Sequence, residues 1–269
     1  SAYKTTITVA ASAPTLYYYC QYHSGMGGAI NTNTTLGSSN FDGSIQSTVK
    51  VNASAGFSII TYTGTGADAT IGHGLGVAPS IYIVKRRNSA KDWYVQIGNL
   101  SGIDLGRFLK LNSTNSIAFA SDVFAASADT STVLNTKSDS ATNASGDTYI
   151  NYCFSEVAGY SKFGSYTGNG SSDGPFVFTG FRPAWIMIKI SGYTGNWIIF
   201  DNKRDPFNYC DTRLFANLNN AYSGSYNVIS MLSNGFKFEN QYDGSWNRNN
   251  TEFIYLAFAE SPFKNARAR

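Results

Sequence analysis

The chain has 269 residues and a formal net charge of +3, with only 14% charged and 15% aromatic residues. That length allows two or three domains with real cores, and low charge with many Tyr, Phe and β-branched residues reads as all-β rather than helical. Nothing basic stands out beyond Lys85-Arg86-Arg87 and the tail at 264–269, so nucleic-acid binding is not expected, and no apolar run approaches membrane-spanning length.

Residues 1–35 differ from the rest. Residues 4–9 alternate like a strand, Pro14 breaks the pattern, and residues 16–19 form a second short strand. It leads into Cys20-Gln21-Tyr22-His23-Ser24-Gly25-Met26. The Cys-x2-His-x2-Met spacing, after an aromatic strand, resembles the copper loop of cupredoxins, where thiolate, imidazole and thioether share one copper. The resemblance implies that residues 1–35 are the C-terminal strands of a cupredoxin-like domain. Such a site needs a second histidine from an earlier strand, and the only other one is His73. Cys20, His23 and Met26 are therefore three of four ligands, and the chain is expected to carry no cofactor. Ser1 is not a natural start, so sequence upstream is expected. Three cysteines, Cys20, Cys153 and Cys210, do not make a disulfide framework.

Residues 36–56 are rich in Gly, Ser, Asn and Thr and read as a linker or a joining strand, with Val49 and Val51 as its apolar positions. A first unit follows over 57–160. Strands are expected at 57–62, 80–85, 93–97, 108–111 and 148–156, with Gly64 and Gly66 in a turn and residues 72–76 in a loop. Residues 112–147 give no clear pattern. A second unit, 161–269, repeats the plan, with strands at 176–178, 185–190, 197–201, 228–232, 236–239 and 252–260. Asn234-Gly235 is a hairpin signal within it.

The two units are copies. Tyr62-Thr63-Gly64, Gly66, Gly76, Pro79, Lys85 and Trp93 recur as Tyr166-Thr167-Gly168, Gly170, Gly180, Pro183, Lys189 and Trp197, always offset by 104 (166−62, 183−79, 197−93). The same offset aligns the strand at 149–156 with that at 253–260. A period of that length is a domain, not a solenoid repeat. The expected fold is all-β: two tandem antiparallel β-sandwich repeats preceded by a short cupredoxin-like β fragment.

Few residues nominate chemistry. His73 lies in a Gly-rich turn, its counterpart is Val177, and it reads as a surface loop histidine. Glu156 and Glu260 are equivalent and read as strand-end residues, and Asp201 and Asp205 share a turn with Arg204. No carboxylate pair stands out for glycosidase work, and no Asp-rich calcium loop is present. Aromatic residues in polar loops, Tyr193, Tyr222, Tyr242 and Trp246, suit stacking on sugars, and Tyr193, Tyr242 and Trp246 are the candidate ligand-binding set.

The repeated phrase, with Gly74-Leu75-Gly76-Val77-Ala78-Pro79, Val84-Lys85-Arg86-Arg87, Tyr152-Cys153-Phe154 and the closing Ala257-Phe258-Ala259-Glu260-Ser261-Pro262-Phe263-Lys264, resembles an uncharacterised domain of virion proteins in marine bacteriophages, particularly cyanophages. The resemblance covers about 57–264, and residues 16–30 are similar to a cupredoxin-like module found upstream in such proteins. It implies a tail fibre or other appendage in the virion, not an enzyme. The implied partners are other virion proteins, further copies of the chain (a homo-oligomer, with a trimer as the expected form) and a host surface glycan or protein. It implies no nucleic-acid partner and no membrane insertion. A virion-borne polysaccharide depolymerase and a bacterial surface adhesin are the alternatives.

Overall fold

The structure is a computed structural model that describes residues 16–19, 27–30, 37–220, 224, 228–240 and 244–261. Its strands in chain order are β1 (Leu16–Tyr19), β2 (Gly27–Ile30), β3 (Ser38–Asn40), β4 (Ser47–Asn52), β5 (Phe57–Thr63), β6 (Ala69–Gly72), β7 (Ile81–Arg86), β8 (Tyr94–Gln96), β9 (Arg107–Lys110) and β10 (Ala118–Phe119). They continue as β11 (Val133–Thr136), β12 (Thr148–Phe154), β13 (Ser161–Gly168), β14 (Phe176–Phe178), β15 (Pro183–Ile190), β16 (Trp197–Asp201), β17 (Leu214–Phe215), β18 (Ile229–Leu232), β19 (Gly235–Phe238) and β20 (Thr251–Ala259). The fold is all-β, and every strand pairing between named strands is antiparallel. The strand expected at 4–9 lies outside the described residues. β1 and β2 form a hairpin of their own.

In the first copy a large sheet, ordered β10-β9-β8-β7-β12-β5-β4-β3, packs on the pair β11-β6. Ile60, Tyr62, Tyr82, Val84, Tyr149 and Cys153 from the large sheet meet Ile71 and Leu134 from the small one. In the second copy the sheet β13-β20-β15-β16-β17 packs on β14-β19-β18. There Tyr166, Ile186, Ile188, Phe253 and Tyr255 meet Val177, Met231, Phe236 and Phe238. Each copy is thus a sandwich with its own core. The sequence pattern missed β6 and β11 of the first small sheet, which are short strands with few apolar residues, and in the large sheets it missed β3, β10, β17 and the eight-residue β13, whereas β14, β18 and β19 of the second small sheet were expected. Of the two readings of residues 36–56, the joining strand holds: β4, with Val49 and Val51, pairs with β5 over its full length.

The offset of 104 holds in the hydrogen-bond register. Tyr149 faces Tyr62 in copy one, and Phe253 faces Tyr166 in copy two. Tyr82 faces Gln96, and Ile186 faces Phe200. Gly72 faces Val133, and Phe176 faces Lys237 (176−72 and 237−133 are both 104). The hairpin at Asn234-Gly235 turns on Ser233-Asn234 instead, because Leu232 already faces Gly235. Gly235 is required by its neighbours: a Cβ there would lie 2.2 Å from the Val177 carbonyl oxygen.

The repeated Tyr-Thr-Gly-x-Gly phrase is a loop lock. In copy one the Thr65 N–H donates to Asn143 Oδ1 at 2.9 Å, Asn143 Nδ2 donates to the Ala67 carbonyl at 2.6 Å, and the Gly66 N–H donates to the Asn143 carbonyl at 2.7 Å. Copy two repeats this with Asn169 N–H to Asn247 Oδ1 at 2.8 Å, Asn247 Nδ2 to Ser171 at 2.8 Å, and Gly170 N–H to the Asn247 carbonyl at 3.0 Å. Gly66 and Gly170 sit at φ 74° and 64°, where a side chain is strained. Tyr62 and Tyr166 donate their hydroxyls to the carbonyls of Thr142 and Trp246, which stand at the same offset.

The copies stack face to face. Ile81, Val95, Ile97 and Leu109 of the first large sheet pack against Phe163, Met187, Trp197, Ile254 and Leu256 of the second in one cluster. Trp197 Nε1 donates across the junction to the Lys110 carbonyl at 2.9 Å. The buried Lys189 ammonium donates to the Thr114 carbonyl at 3.2 Å, and its pKa falls to about 8 because burial disfavours the charge.

Asn143 and Asn247 are fully buried and each satisfies backbone groups of the loop it locks. Asn143→Ala and Asn247→Ala should each cost about 2–3 kcal/mol and by similar amounts, measured as urea midpoints. A cost confined to one copy would show that the two loops are not equivalent.

Candidate functional site

The candidate aromatic residues separate. Tyr193 is exposed at 46% in the β15–β16 loop. The guanidinium of Arg248, from the loop before β20, lies 3.9 Å from its ring centre, a cation–π contact that fixes ring and charge side by side. Tyr242 and Tyr222 lie outside the described residues. Trp246 corrects the expectation outright: it is fully buried in the second core, its Nε1 donates to the Asn240 carbonyl at 3.0 Å, and Arg213 lies over its ring. Its Gly/Ser/Asn neighbours made it look like a loop aromatic. Those neighbours form the lock around Asn247, and the lock turns the indole inward.

A cleft of about 250 Å³ opens at the junction of the copies and reaches Thr194, the residue after Tyr193 in the chain. Phe108, Leu109, Ile117 and Ala118 make its apolar wall, Lys110 and Asn115 its polar rim, and Thr194 closes it from the second copy. The walls are held by cross-copy bonds, Gly195 N–H to the Thr114 carbonyl and Ile117 N–H to the Ser191 carbonyl, both at 2.8 Å. Lys110 is paired with Asp92 at 2.7 Å, which raises the lysine pKa and lowers that of the carboxylate. Neither the cleft nor Arg248 was anticipated from the sequence. The cleft exists only because the copies stack, and Arg248 earned no notice as one basic residue in an Asn-rich loop.

Among the described residues His73, Cys153 and Cys210 are buried, and the carboxylates singled out from the sequence are held in ion pairs or backbone hydrogen bonds. His73 is buried, not on the surface as its Gly-rich setting led us to expect. Its Nδ1 accepts the Leu75 N–H at 3.1 Å, Nε2–H faces the Thr130 carbonyl at 3.2 Å, and burial lowers its pKa. Cys153 is buried in the first core, where burial pushes its thiol up, and Cys210 donates to the Asp205 carbonyl at 3.7 Å with a thiol pushed up to about 12. Glu156 caps the Phe163 N–H at 3.0 Å, and Glu260 pairs with Arg182 at 2.6 Å, as strand-end residues do. Arg204 pairs with Asp201, whereas Asp205 accepts the Asp211 and Thr212 N–H groups. Among the described residues no group of three His, Cys, Asp or Glu is placed to hold a metal ion. Cys20, His23 and Met26 lie outside them.

Residues 31–262 match the family described as Domain of unknown function (DUF7483). The chain belongs to that family. The match runs from before β3 to the end of β20, so it spans both sandwiches together with the strands that edge the first. No curated protein matches, and no solved structure matches.

One buried acid gives a pH handle on the fold. Asp129 accepts the Asn135 N–H at 2.7 Å and the Asn99 amide at 2.8 Å, yet burial raises its pKa to about 6. Between the usual carboxylate value and 6 the folded chain holds a proton that the unfolded chain releases, so stability falls as pH rises through that window. Asp129→Asn should remove about 3 kcal/mol of that decline between pH 4 and 7, read as the difference in denaturation free energy from the parent. Parallel pH profiles for the two proteins would sink the assignment.

Proposed function

We propose that the chain is a structural protein of a phage virion, a tail fibre or similar appendage, that presents stacked β-sandwiches to a host surface. Residues 1–35 are read as the end of a cupredoxin-like module, with Cys20, His23 and Met26 as an incomplete copper set. The shared phrase of the two copies supports the virion reading, since it is the part that resembles such proteins. The observation that carries a binding role is the Tyr193–Arg248 pair in the loops of the second copy. It sets an exposed ring and a guanidinium side by side. A sugar ring can stack on the tyrosine while its hydroxyls or a carboxylate bond the arginine. The residues with reactive side chains described above are committed to packing and hydrogen bonds, which favours binding over chemistry.

Tyr193→Ala with Arg248→Ala should leave the melting temperature within about 2 °C of the parent and reduce attachment to host cells or immobilised host glycan by at least tenfold. Trp246→Ala is the contrast: it should cost about 3–5 kcal/mol in stability, because it empties a core site. Undiminished attachment by the double variant would make the chain a spacer, and release of reducing sugar from host polysaccharide would favour the depolymerase.

The copper reading has its own check. Three ligands without the second histidine do not build a type 1 site, so titration with Cu(II) should give no intense blue thiolate-to-copper band. A strong band would show that the chain completes the site itself.

A further inference from the structure

The two copies differ most at one sheet edge. In the first, β5 is covered by β4, which is itself edged by β3. Thr61 faces Thr48 there, and the inward side chains Ser47 and Val49 are buried. In the second, the equivalent strand β13 is the end of its sheet, and among the described residues no strand pairs with its outer side.

The hydrogen bonds fix which groups point outward. The Gly168 carbonyl accepts from Asn250 and the Tyr160 carbonyl accepts from Ala259, so even-numbered residues face β20. Odd-numbered residues face out. Phe163 is one of these, and its N–H is capped by Glu156, which also holds Lys162 at 2.8 Å. Ser165 and Thr167 come next, half-buried and exposed, and their outward N–H and C=O groups have no hydrogen-bond partner among the described residues. Sheet edges are usually guarded by charge, proline or a bulge. From Phe163 to Ser172 there is neither a charge nor a proline.

We propose that β13 is a homotypic docking strand: two copies of the chain pair β13 with β13, antiparallel about a two-fold axis at Tyr166. Ser165 then exchanges backbone hydrogen bonds with the partner's Thr167, and Thr167 with the partner's Ser165. That register uses the free groups and leaves the Glu156 cap in place. It also sets the two Lys162 side chains at opposite ends. The occupant follows from the inner face. The position of Ile60 in copy one is Gly164 in copy two (164−60 is 104), and the Tyr255 ring closes over it, 3.1 Å from where a Cβ would stand. The apolar face therefore needs no anchors from a visiting strand, whereas β4 supplies Val49 to copy one. Only backbone remains to be matched, and a copy of the same strand, uncharged from Phe163 onward, matches it. The proposal rests on the sheet edge and not on host attachment.

The test is the mass of the full chain by light scattering after gel filtration at tens of micromolar. The parent should run at twice the monomer mass, and Ser165→Pro at half the parent value with an unchanged melting curve. Proline removes only the outward N–H, and Gly164 before it accommodates the ring. Thr61→Pro, the same change in copy one, should instead destabilise the fold, because that N–H belongs to β4. A monomeric parent, a trimer, or a dimer indifferent to Ser165→Pro overturns the proposal. Should Ser165→Pro fail to fold, the Ser165→Cys/Thr167→Cys double variant decides. Mild oxidation should convert it, and not the parent, to a covalent dimer on a denaturing gel, and no cross-link overturns the pairing.

Discussion

The apolar junction between the two large sheets is the constraint from which the rest follows. A sandwich needs one buried face per sheet, yet these sheets are apolar on both. In β15, Ile186 and Ile188 point into the second core while Met187 points into the junction. In β7, Tyr82 and Val84 serve the first core and Ile81 the junction. Each fully buried aliphatic side chain contributes about 1.5–3 kcal/mol relative to exposure, so a lone copy would expose much of what stabilises the pair. The second copy is the cover for the first. The same stacking brings residues 114–117 against the β15–β16 loop and so creates the cleft.

Where the copies agree and where they differ follows from position. The loop lock at Asn143 and Asn247 is internal to each sandwich and is kept almost atom for atom. The stacked rings Tyr62–Tyr149 and Tyr166–Phe253, with centroids 5.2 and 5.0 Å apart, are kept as well. The flank of each sandwich is not. Gly72 and Gly74 of copy one lie under Asn40 and under Val49 and Val51, and a Cβ at Gly72 would lie 1.7 Å from the Asn40 side chain. The corresponding residues in copy two are Phe176 and Phe178, exposed at 44% and 61%. Strands β3 and β4 require glycine beneath them, and where those strands are absent the requirement lapses.

Strong strands were legible because burial on both sides leaves a nearly continuous apolar run, as at β15 and β20. The duplication was legible because half of its identities are residues with backbone duties: glycines at positive φ or in close approach, and a proline at or just before a strand start. Asn143 and Asn247 were equally legible at the same offset, but they stand in Ser/Thr/Asn-rich sequence where one more asparagine attracts no notice. His73 and Trp246 were misplaced for one shared reason. Glycine and asparagine around them look like exposed loop, yet here they form compact turns that direct the side chain inward. Fold class thus follows from pattern, whereas the surface depends on which loops lock, and that depends on partners about eighty residues away in sequence.

Stacking also changes how binding strength can arise. If the chain attaches through its loops, duplication would be expected to double the site, as linked weak sites gain from effective concentration. The second copy's Tyr193 and Arg248 correspond to Ser89 and Ala144 in the first, at the offset of 104. Neither can stack on a ring or carry the charge. At these equivalent positions the pair is therefore not repeated, and the cleft at the junction is lined by the first copy with Thr194 from the second. At this loop the duplication has kept the scaffold and not the exposed pair. On the proposed binding role, a gain from multivalency at this loop would come from bringing several chains together, which ties the unguarded edge of the second sheet to the Tyr193 loop.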